Sequence, residues 1–156
     1  MRAIRTGAAA AMLSLMTLAA AWAGSGAGIV NDVTGTALGG YDAVSYFDPA
    51  GPVQGIPKFT ATYQGLPYLF RSAEHRDAFL ADPAHYAPQY GGFCAVAAAY
   101  GDKATIDPSA YKLVAGKLYV VHSRKALDMF EKDPDGLIIK ADTNWPKVHT
   151  IDGPSH

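Results

Sequence analysis

The chain has 156 residues, a formal net charge of −1 and one cysteine. This length suits one hydrophobic core and one domain. The charge is close to neutral and forms no basic patch, which argues against nucleic-acid binding, because phosphate contacts need clustered Lys and Arg. One cysteine excludes an internal disulfide, so stability has to come from packing.

The first 23 residues are predicted to be a cleaved signal peptide (1–23). Arg2 and Arg5 form a basic start, an apolar run covers 8–21, and Ala21-Trp22-Ala23 is a cleavage signal. The run is too short for a spanning helix, so we expect a periplasmic or secreted protein with no membrane span after cleavage. The Gly-rich residues 24–30 follow no strand, so a flexible tail is expected there rather than a phosphate loop.

The predicted domain covers residues 31–146 and contains two antiparallel β-hairpins, at 58–70 and 111–122. Apolar and polar residues alternate in the first strand, which is the period of a strand with one buried face. Each hairpin turns at a dipeptide that ends in glycine, Gln64-Gly65 or Ala115-Gly116.

A helix is predicted to follow each hairpin. Ser72 is a suitable N-cap for a helix at 73–81, and Ser123 caps a second helix. Both helices carry apolar residues that need a partner surface, so hairpins and helices are expected to pack together.

The last predicted helix, at 134–145, has an apolar stripe at a spacing of four, and Pro146 is expected to end it. Residues 147–156 are then a C-terminal tail. A polar loop is predicted at 101–110, and the aromatic cluster at 41–47 fits either a short helix or a strand.

Together these elements predict an α+β fold, a small single domain with two antiparallel β-hairpins packed against short helices. No internal repeat is evident. The segment 82–95 contains two prolines and the pair Gly91-Gly92, so we expect at least one residue with positive φ at this corner.

Four stretches resemble the exported YHS-domain proteins of bacteria, and the match covers nearly all of the mature chain. They are GGYDAVSYF (39–47), YAPQYGGFCA (86–95), GKLY (116–119) and ADTNWP (141–146). A cysteine-rich branch of that family, related to the TRASH metal-sensing domains, occurs beside copper and other heavy-metal transporters and is associated with metal binding. The stretch FRSAEHRDAF (70–79) resembles that branch.

The chain departs from the cysteine-rich branch at the metal ligands. That branch has cysteines where Arg71 and His75 stand here, and one more in an early Asp-Pro-Val-Cys-Gly stretch that residues 41–44 match loosely. Arginine does not ligate metals. The resemblance therefore implies the fold, and only part of the metal site.

Cys94 and His75 are the candidate metal ligands. A thiolate with imidazole suits copper or zinc, and we expect about one ion per chain. Each has a second interpretation: Cys94 as a small buried apolar residue, and His75 as an interior histidine of its helix. His122 is expected at a strand edge and His85 in the proline-rich turn.

No catalytic motif is present: the chain lacks G-x-S-x-G, H-E-x-x-H and a P-loop lysine. We therefore predict a protein that is not an enzyme. Two functions stay open. One is a periplasmic protein that binds or handles a soft metal ion through Cys94 and imidazole. The other is a non-metal module with a structural cysteine, which binds a small ligand or a protein partner through the aromatics of 41–47 and 86–93.

Overall fold

The computed structural model describes residues 35–153. The predicted signal peptide (1–23) and tail (24–30), the first four residues of the predicted domain and the last three residues of the chain lie outside this part. The strands and α-helices, in chain order, are β1 (Ile56–Tyr63), β2 (Leu66–Phe70), α1 (Ala73–Ala81), α2 (Pro83–Tyr86), α3 (Ala95–Ala99), β3 (Asp107–Val114), β4 (Lys117–Val121), α4 (Arg124–Lys132) and α5 (Pro134–Val148). A short 3₁₀ helix covers Val44–Phe47, and tight turns that contain left-handed residues cover Ala37–Gly40 and Gln89–Gly92.

Both predicted hairpins are confirmed. β1 pairs antiparallel with β2, and β3 pairs antiparallel with β4, in two separate two-stranded sheets. Gln64 and Gly65 have φ of 50° and 82°, and Ala115 and Gly116 have φ of 50° and 74°. Positive φ at both central residues gives the turn the twist that tight hairpins need.

Side-chain caps set the start of the helices. The predicted bounds of α1 are confirmed, and the Ser72 side chain accepts from the His75 backbone N–H. Ser123 caps α4 in the same way, through the Ala126 backbone N–H. These caps satisfy N–H groups that have no partner within the helix. The two sheets and their helices form the predicted α+β fold in one domain.

Two predicted bounds are wrong. Asp107 already begins β3, so the polar loop is shorter than 101–110. α5 continues through Pro146 to Val148, although a proline removes one intrahelical hydrogen bond. The added turn is anchored from the side, because the buried Lys103 Nζ donates to the backbone oxygens of His149 (3.2 Å) and Ile151 (2.7 Å).

The expectation that the chain has no internal repeat is also wrong. β1, β2 and α1 have 8, 5 and 9 residues, and β3, β4 and α4 have the same lengths. The second set follows the first at a constant offset of 51 residues, from Ile56 to Asp107 for example. The register irregularities also correspond, since one lies between Ile56 and Thr60 and the other between Asp107 and Tyr111.

We name residues 37–86 the first repeat and residues 89–148 the second repeat. Each begins with left-handed backbone that ends in a Gly-Gly pair, here at an offset of 52. The φ angles are 56°, 61° and 79° at Leu38, Gly39 and Gly40, and 55°, 60° and 79° at Tyr90, Gly91 and Gly92. The prediction of positive φ at Gly91-Gly92 is therefore confirmed.

Identical residues occupy equivalent positions at turns, caps and core. They are Ala43 and Ala95, Val44 and Val96, Gly65 and Gly116, Tyr68 and Tyr119, Ser72 and Ser123, Phe79 and Phe130, Asp82 and Asp133, and Pro83 and Pro134. The shared residues are those that the backbone geometry and the packing require.

Each repeat has its own hydrophobic cluster, and the two clusters are joined. Leu118 and Val120 of the second repeat are buried in the cluster of the first. The Tyr46 hydroxyl donates to the Pro108 backbone oxygen at 2.8 Å, and its ring meets Tyr111 edge-on at 4.9 Å. The two repeats therefore form one domain. In the stretch 35–153, no helix has the length and apolar character to cross a membrane.

Candidate functional site

Cys94 lies in the core of the second repeat and is 2 % exposed. It is the N-cap of α3, where its Sγ accepts from the Ala97 backbone N–H at 3.5 Å. The same Sγ accepts from the His122 backbone N–H at 3.2 Å, at the end of β4. The thiol therefore joins the end of a hairpin to the start of a helix.

Asp42 is the equivalent of Cys94 in the first repeat and is fully buried. Its Oδ1 accepts from the Val44 and Ser45 backbone N–H groups at 2.9 and 3.3 Å. Its Oδ2 accepts from the Arg71 backbone N–H at 2.9 Å. Ser45 and Arg71 are the equivalents of the residues that donate to Cys94, so the carboxylate and the thiol perform the same backbone task.

His75 adds a side chain to this arrangement in the first repeat only. Its Nδ1 lies 2.8 Å from Asp42 Oδ2. Because the carboxylate accepts, Nδ1 carries the proton, and Nε2 is then the acceptor for Arg71. The Arg71 Nη2 and Nε atoms lie 3.0 and 3.2 Å from Nε2.

Asp48 completes the group at the protein surface. Its Oδ2 accepts from Arg71 Nη2 at 3.2 Å and lies 3.7 Å from His75 Nε2. The Arg71 side chain is 45 % exposed, whereas that of His75 is 14 % exposed. We name Asp42, Asp48, Arg71 and His75 the His75 cluster.

The second repeat replaces every member of the His75 cluster. The equivalents of Asp42, Asp48, Arg71 and His75 are Cys94, Tyr100, His122 and Ala126. The His122 ring is turned elsewhere, with its Nδ1 3.2 Å from the Thr105 backbone oxygen. Equivalent backbone positions thus carry a hydrogen-bonded polar cluster in the first repeat and a core cysteine in the second.

The two predicted metal ligands therefore belong to different repeats and to different hydrogen-bond networks. Cys94 is held by backbone N–H groups of the second repeat, and His75 is held by Asp42 and Arg71 of the first. Among residues 35–153, no three or more His, Cys, Asp or Glu side chains are grouped so that they could hold a metal ion.

A pocket of about 250 Å³, open to solvent, lies at the junction of the two repeats. The lining residues are Tyr63, Gln64 and Ala84 of the first repeat, Ala87 and Pro88 between the repeats, and Gln89, Tyr90, Gly91 and Trp145 of the second repeat. Pockets at such junctions are common ligand sites, because two units supply opposite walls.

Tyr90 anchors this pocket. It has a φ of 55°, which is uncommon for a residue with a side chain. Its hydroxyl donates to Asp142 Oδ1 at 2.9 Å, and its ring centroid lies 5.6 Å from that of Trp145. Burial raises the pKa of Tyr90, and the hydrogen bond to Asp142 raises it further, so the hydroxyl keeps its proton and donates.

Comparison of the chain with family models, with curated proteins and with solved structures finds no match. The functional interpretation therefore depends on the geometry of the chain itself.

Sequence reasoning missed Asp42 and Asp48 as partners of His75, and it missed Trp145 and Tyr63 as pocket residues. One signal for Asp42 was available. Gly-Gly, one aromatic residue, one variable residue and Ala-Val occur at 39–44 and again at 91–96. Aligning these two stretches pairs Asp42 with Cys94 and marks the position that differs.

Proposed function

We propose that this chain is a periplasmic or secreted, YHS-like module that binds a small ligand in the pocket between its repeats, with Cys94 as a structural residue. The observation that carries the proposal is the pocket itself, with three aromatic side chains from separate parts of the chain. Tyr63 comes from the first repeat, Tyr90 and Trp145 from the second. The Tyr86–Phe93 aromatics that the sequence singled out include one of them.

The environment of Cys94 supports a structural role. Its Sγ already accepts two backbone N–H groups and is almost without exposure. A thiol that caps a helix inside a core is protected from reagents and has no open side for a ligand. Asp42, at the equivalent position of the first repeat, accepts the equivalent backbone N–H groups with its carboxylate.

The contacts between the family-like stretches support the YHS-like part of the proposal. The Arg71 backbone N–H and His75 Nδ1 both meet Asp42 Oδ2. These residues come from two of the stretches that carry the resemblance: Arg71 and His75 stand where the cysteine-rich branch has cysteines, and Asp42 lies in the stretch that matches the early motif of that branch loosely.

A screen of small molecules by NMR tests the proposed function. The indole N–H signal of Trp145, assigned with Trp145→Phe, reports on the pocket. We expect at least one class of small molecule to shift this signal in a saturable way, and Tyr63→Leu to weaken that binding. A screen in which compounds shift signals elsewhere and never at the pocket contradicts the proposal. Cys94 should also resist a thiol reagent in the native protein and react after unfolding.

Metal binding at the His75 cluster is a second candidate function, favoured by the Asp42–His75 hydrogen bond at 2.8 Å. Histidine ligands commonly donate their other ring N–H to a carboxylate, which orients the ring and raises its basicity. His75 Nε2 and Asp48 Oδ2, 3.7 Å apart, are then the two protein ligands for copper or zinc. Arg71 has to move aside, because it donates to the same Nε2.

Metal titration of the purified protein with Zn²⁺ and Cu²⁺ tests this second candidate. We expect His75→Ala to abolish binding and Cys94→Ala to retain it. Binding that is lost in Cys94→Ala and kept in His75→Ala contradicts a site in the first repeat, and absence of binding in the parent protein removes the metal function.

A further inference from the structure

The last turn of α5 is helical although its sequence favours an end to the helix. Pro146 lies inside α5 and has no N–H, so one intrahelical hydrogen bond is missing there. A residue that precedes a proline also prefers extended backbone, because the proline ring approaches its N–H and Cβ. Trp145 is therefore helical against its own preference, and the helix is weakest where Trp145 meets Pro146.

The chain beyond this point has little packing of its own. We name residues 147–152 the latch. Val148 is 1 % exposed and is the one buried residue of this segment, whereas Ile151 is 39 % exposed. Segments with few buried apolar contacts open at a lower free energy than the core does. The latch therefore needs another contact to stay in place.

Lys103 supplies that contact. It is fully buried, and its Nζ donates to the backbone oxygens of His149 at 3.2 Å and Ile151 at 2.7 Å. Both acceptors belong to the latch. A buried ammonium is costly without acceptors around it, so the closed latch stabilises the lysine as much as the lysine stabilises the latch.

Two routes connect Lys103 and the latch to Trp145. The first passes through His149, whose backbone N–H donates to the Trp145 backbone oxygen at 2.9 Å and whose ring centroid lies 6.0 Å from that of Trp145. The second passes through Phe93. Lys103 Nζ lies 4.7 Å from the centroid of the Phe93 ring, which lies 6.4 Å from that of Trp145. Trp145 in turn lines the pocket between the repeats.

We propose that the latch, held closed by Lys103, positions Trp145 at the pocket and opens as a unit at Pro146. This proposal rests on the ligand-binding function proposed above and names what regulates that site. When the latch opens, Trp145 loses its contacts with His149, and its backbone is free to adopt the extended conformation that a following proline favours. Lys103 is a positioning residue, because it acts on the pocket through these neighbours.

Amide hydrogen exchange followed by NMR measures the opening. The backbone N–H groups of His149 and Ile151 report on the latch, and those of the first hairpin report on the rest of the protein. Lys103→Met removes the donor and keeps the length of the side chain. We expect it to reduce protection of the latch amides at least about tenfold and that of the first hairpin less than about twofold. The indole N–H signal of Trp145 should shift in the same variant.

Lys147→Met is the matched control. Lys147 is an exposed lysine of the latch itself, so its substitution changes the charge of the segment without removing the anchor. Both the protection of the latch amides and the Trp145 signal should stay as in the parent protein.

Pro146→Ala tests the weak point of the helix without changing the buried lysine. Alanine restores an N–H and removes the preference of Trp145 for extended backbone. Protection of the latch amides should therefore rise by about fivefold or more. This variant also tests the proposal if Lys103→Met does not fold.

An equal loss of protection in the latch and the first hairpin of Lys103→Met overturns the proposal, because the latch is then not a separate unit. Unchanged protection of the latch, an unmoved Trp145 signal in Lys103→Met or unchanged protection in Pro146→Ala overturns it too. These measurements use no ligand. If they give the expected results while no small molecule shifts the Trp145 signal of the parent protein, the latch is supported and the ligand-binding function alone fails.

Discussion

The two repeats use different side chains for the same role, which is to accept hydrogen bonds from backbone N–H groups. In each, the end of a hairpin has to be tied to the start of a helical segment, and a single acceptor takes N–H groups from both. The first repeat uses the Asp42 carboxylate and the second uses the Cys94 thiol. The backbone conformations agree in the residues that precede these two acceptors, from Leu38 to Gly40 and from Tyr90 to Gly92.

The comparison of Asp42 with Cys94 shows which side chains the fold requires and which are additional to it. In the second repeat a cysteine is sufficient to connect the end of the hairpin with the start of the helix. The Asp42 carboxylate with His75, Arg71 and Asp48 is therefore more than this connection requires. Buried carboxylates are costly unless several donors meet them, and four donors meet Asp42. The first repeat therefore has a polar surface centre that the second lacks, whereas the pocket needs both repeats.

The largest effect is expected from alkaline pH, and it acts on both repeats. Burial raises the pKa of Tyr46 and Tyr68 in the first repeat and of Tyr90 and Tyr119 in the second. In the unfolded chain these groups ionise near pH 10, while in the folded protein they keep their protons. The stabilisation is fully present below pH 10 and is lost as pH rises above it, by up to about 1.4 kcal/mol per pH unit for each of Tyr46, Tyr68 and Tyr90.

Denaturant unfolding at several pH values between 8 and 11 measures this loss. The equivalent variants Tyr68→Phe and Tyr119→Phe sharpen the comparison, since each should reduce the slope above pH 10. A slope that neither variant changes contradicts the burial of these hydroxyls.

Removal of the shared acceptor should cost more in the first repeat than in the second. Asp42→Ala leaves the backbone N–H groups of Val44 and Arg71 and the His75 ring without their acceptor, and we expect a loss of about 3 kcal/mol or more in the free energy of unfolding. Cys94→Ala removes a weak acceptor and a small volume, at about 1–2 kcal/mol. Denaturant unfolding of both variants measures the two values, and equal losses contradict the stronger role of the carboxylate.

Valine substitution should destabilise the protein by similar amounts at the two Gly-Gly pairs. Gly40 and Gly92 both have a φ of 79°, so valine at either position is strained, by about 1–3 kcal/mol. Gly65→Asn is the control, because Asn tolerates positive φ and a Cβ at Gly65 meets no atom within 4 Å. Melting temperatures that fall for only one of the two valine variants show that the corners are not equivalent.

Local signals were sufficient to predict most of the fold. The alternation in β1, the turn at Gln64-Gly65 and the Ser72 cap each depend on neighbours within a few residues, and each is confirmed. The continuation of α5 past Pro146 was not predictable in this way. It depends on Lys103, whose contacts with the chain near His149 span more than forty positions.

The candidate site was less predictable for the same physical reason. His75 was identified, but its partners Asp42 and Asp48 come from another part of the chain. Asp48 also precedes a proline, where a turn residue is expected. The repeat was not recognised in the sequence because the identical residues are widely spaced. They lie at turns, at helix caps and in the core.

The smallest effect is expected from Asp48, and it tests whether the His75 cluster exceeds the needs of the fold. Asp48 and Arg71 form a pair with side-chain exposures of 32 % and 45 %, and exposed pairs contribute about 0–1 kcal/mol. Asp48→Ala should therefore lower the free energy of unfolding by about 0.5 kcal/mol or less. Glu131→Ala, which breaks the exposed pair of Lys112 and Glu131 in the second repeat, is the matched control. A loss above about 2 kcal/mol for Asp48→Ala alone makes Asp48 a structural residue of the first repeat, and the difference between the repeats then concerns stability rather than function.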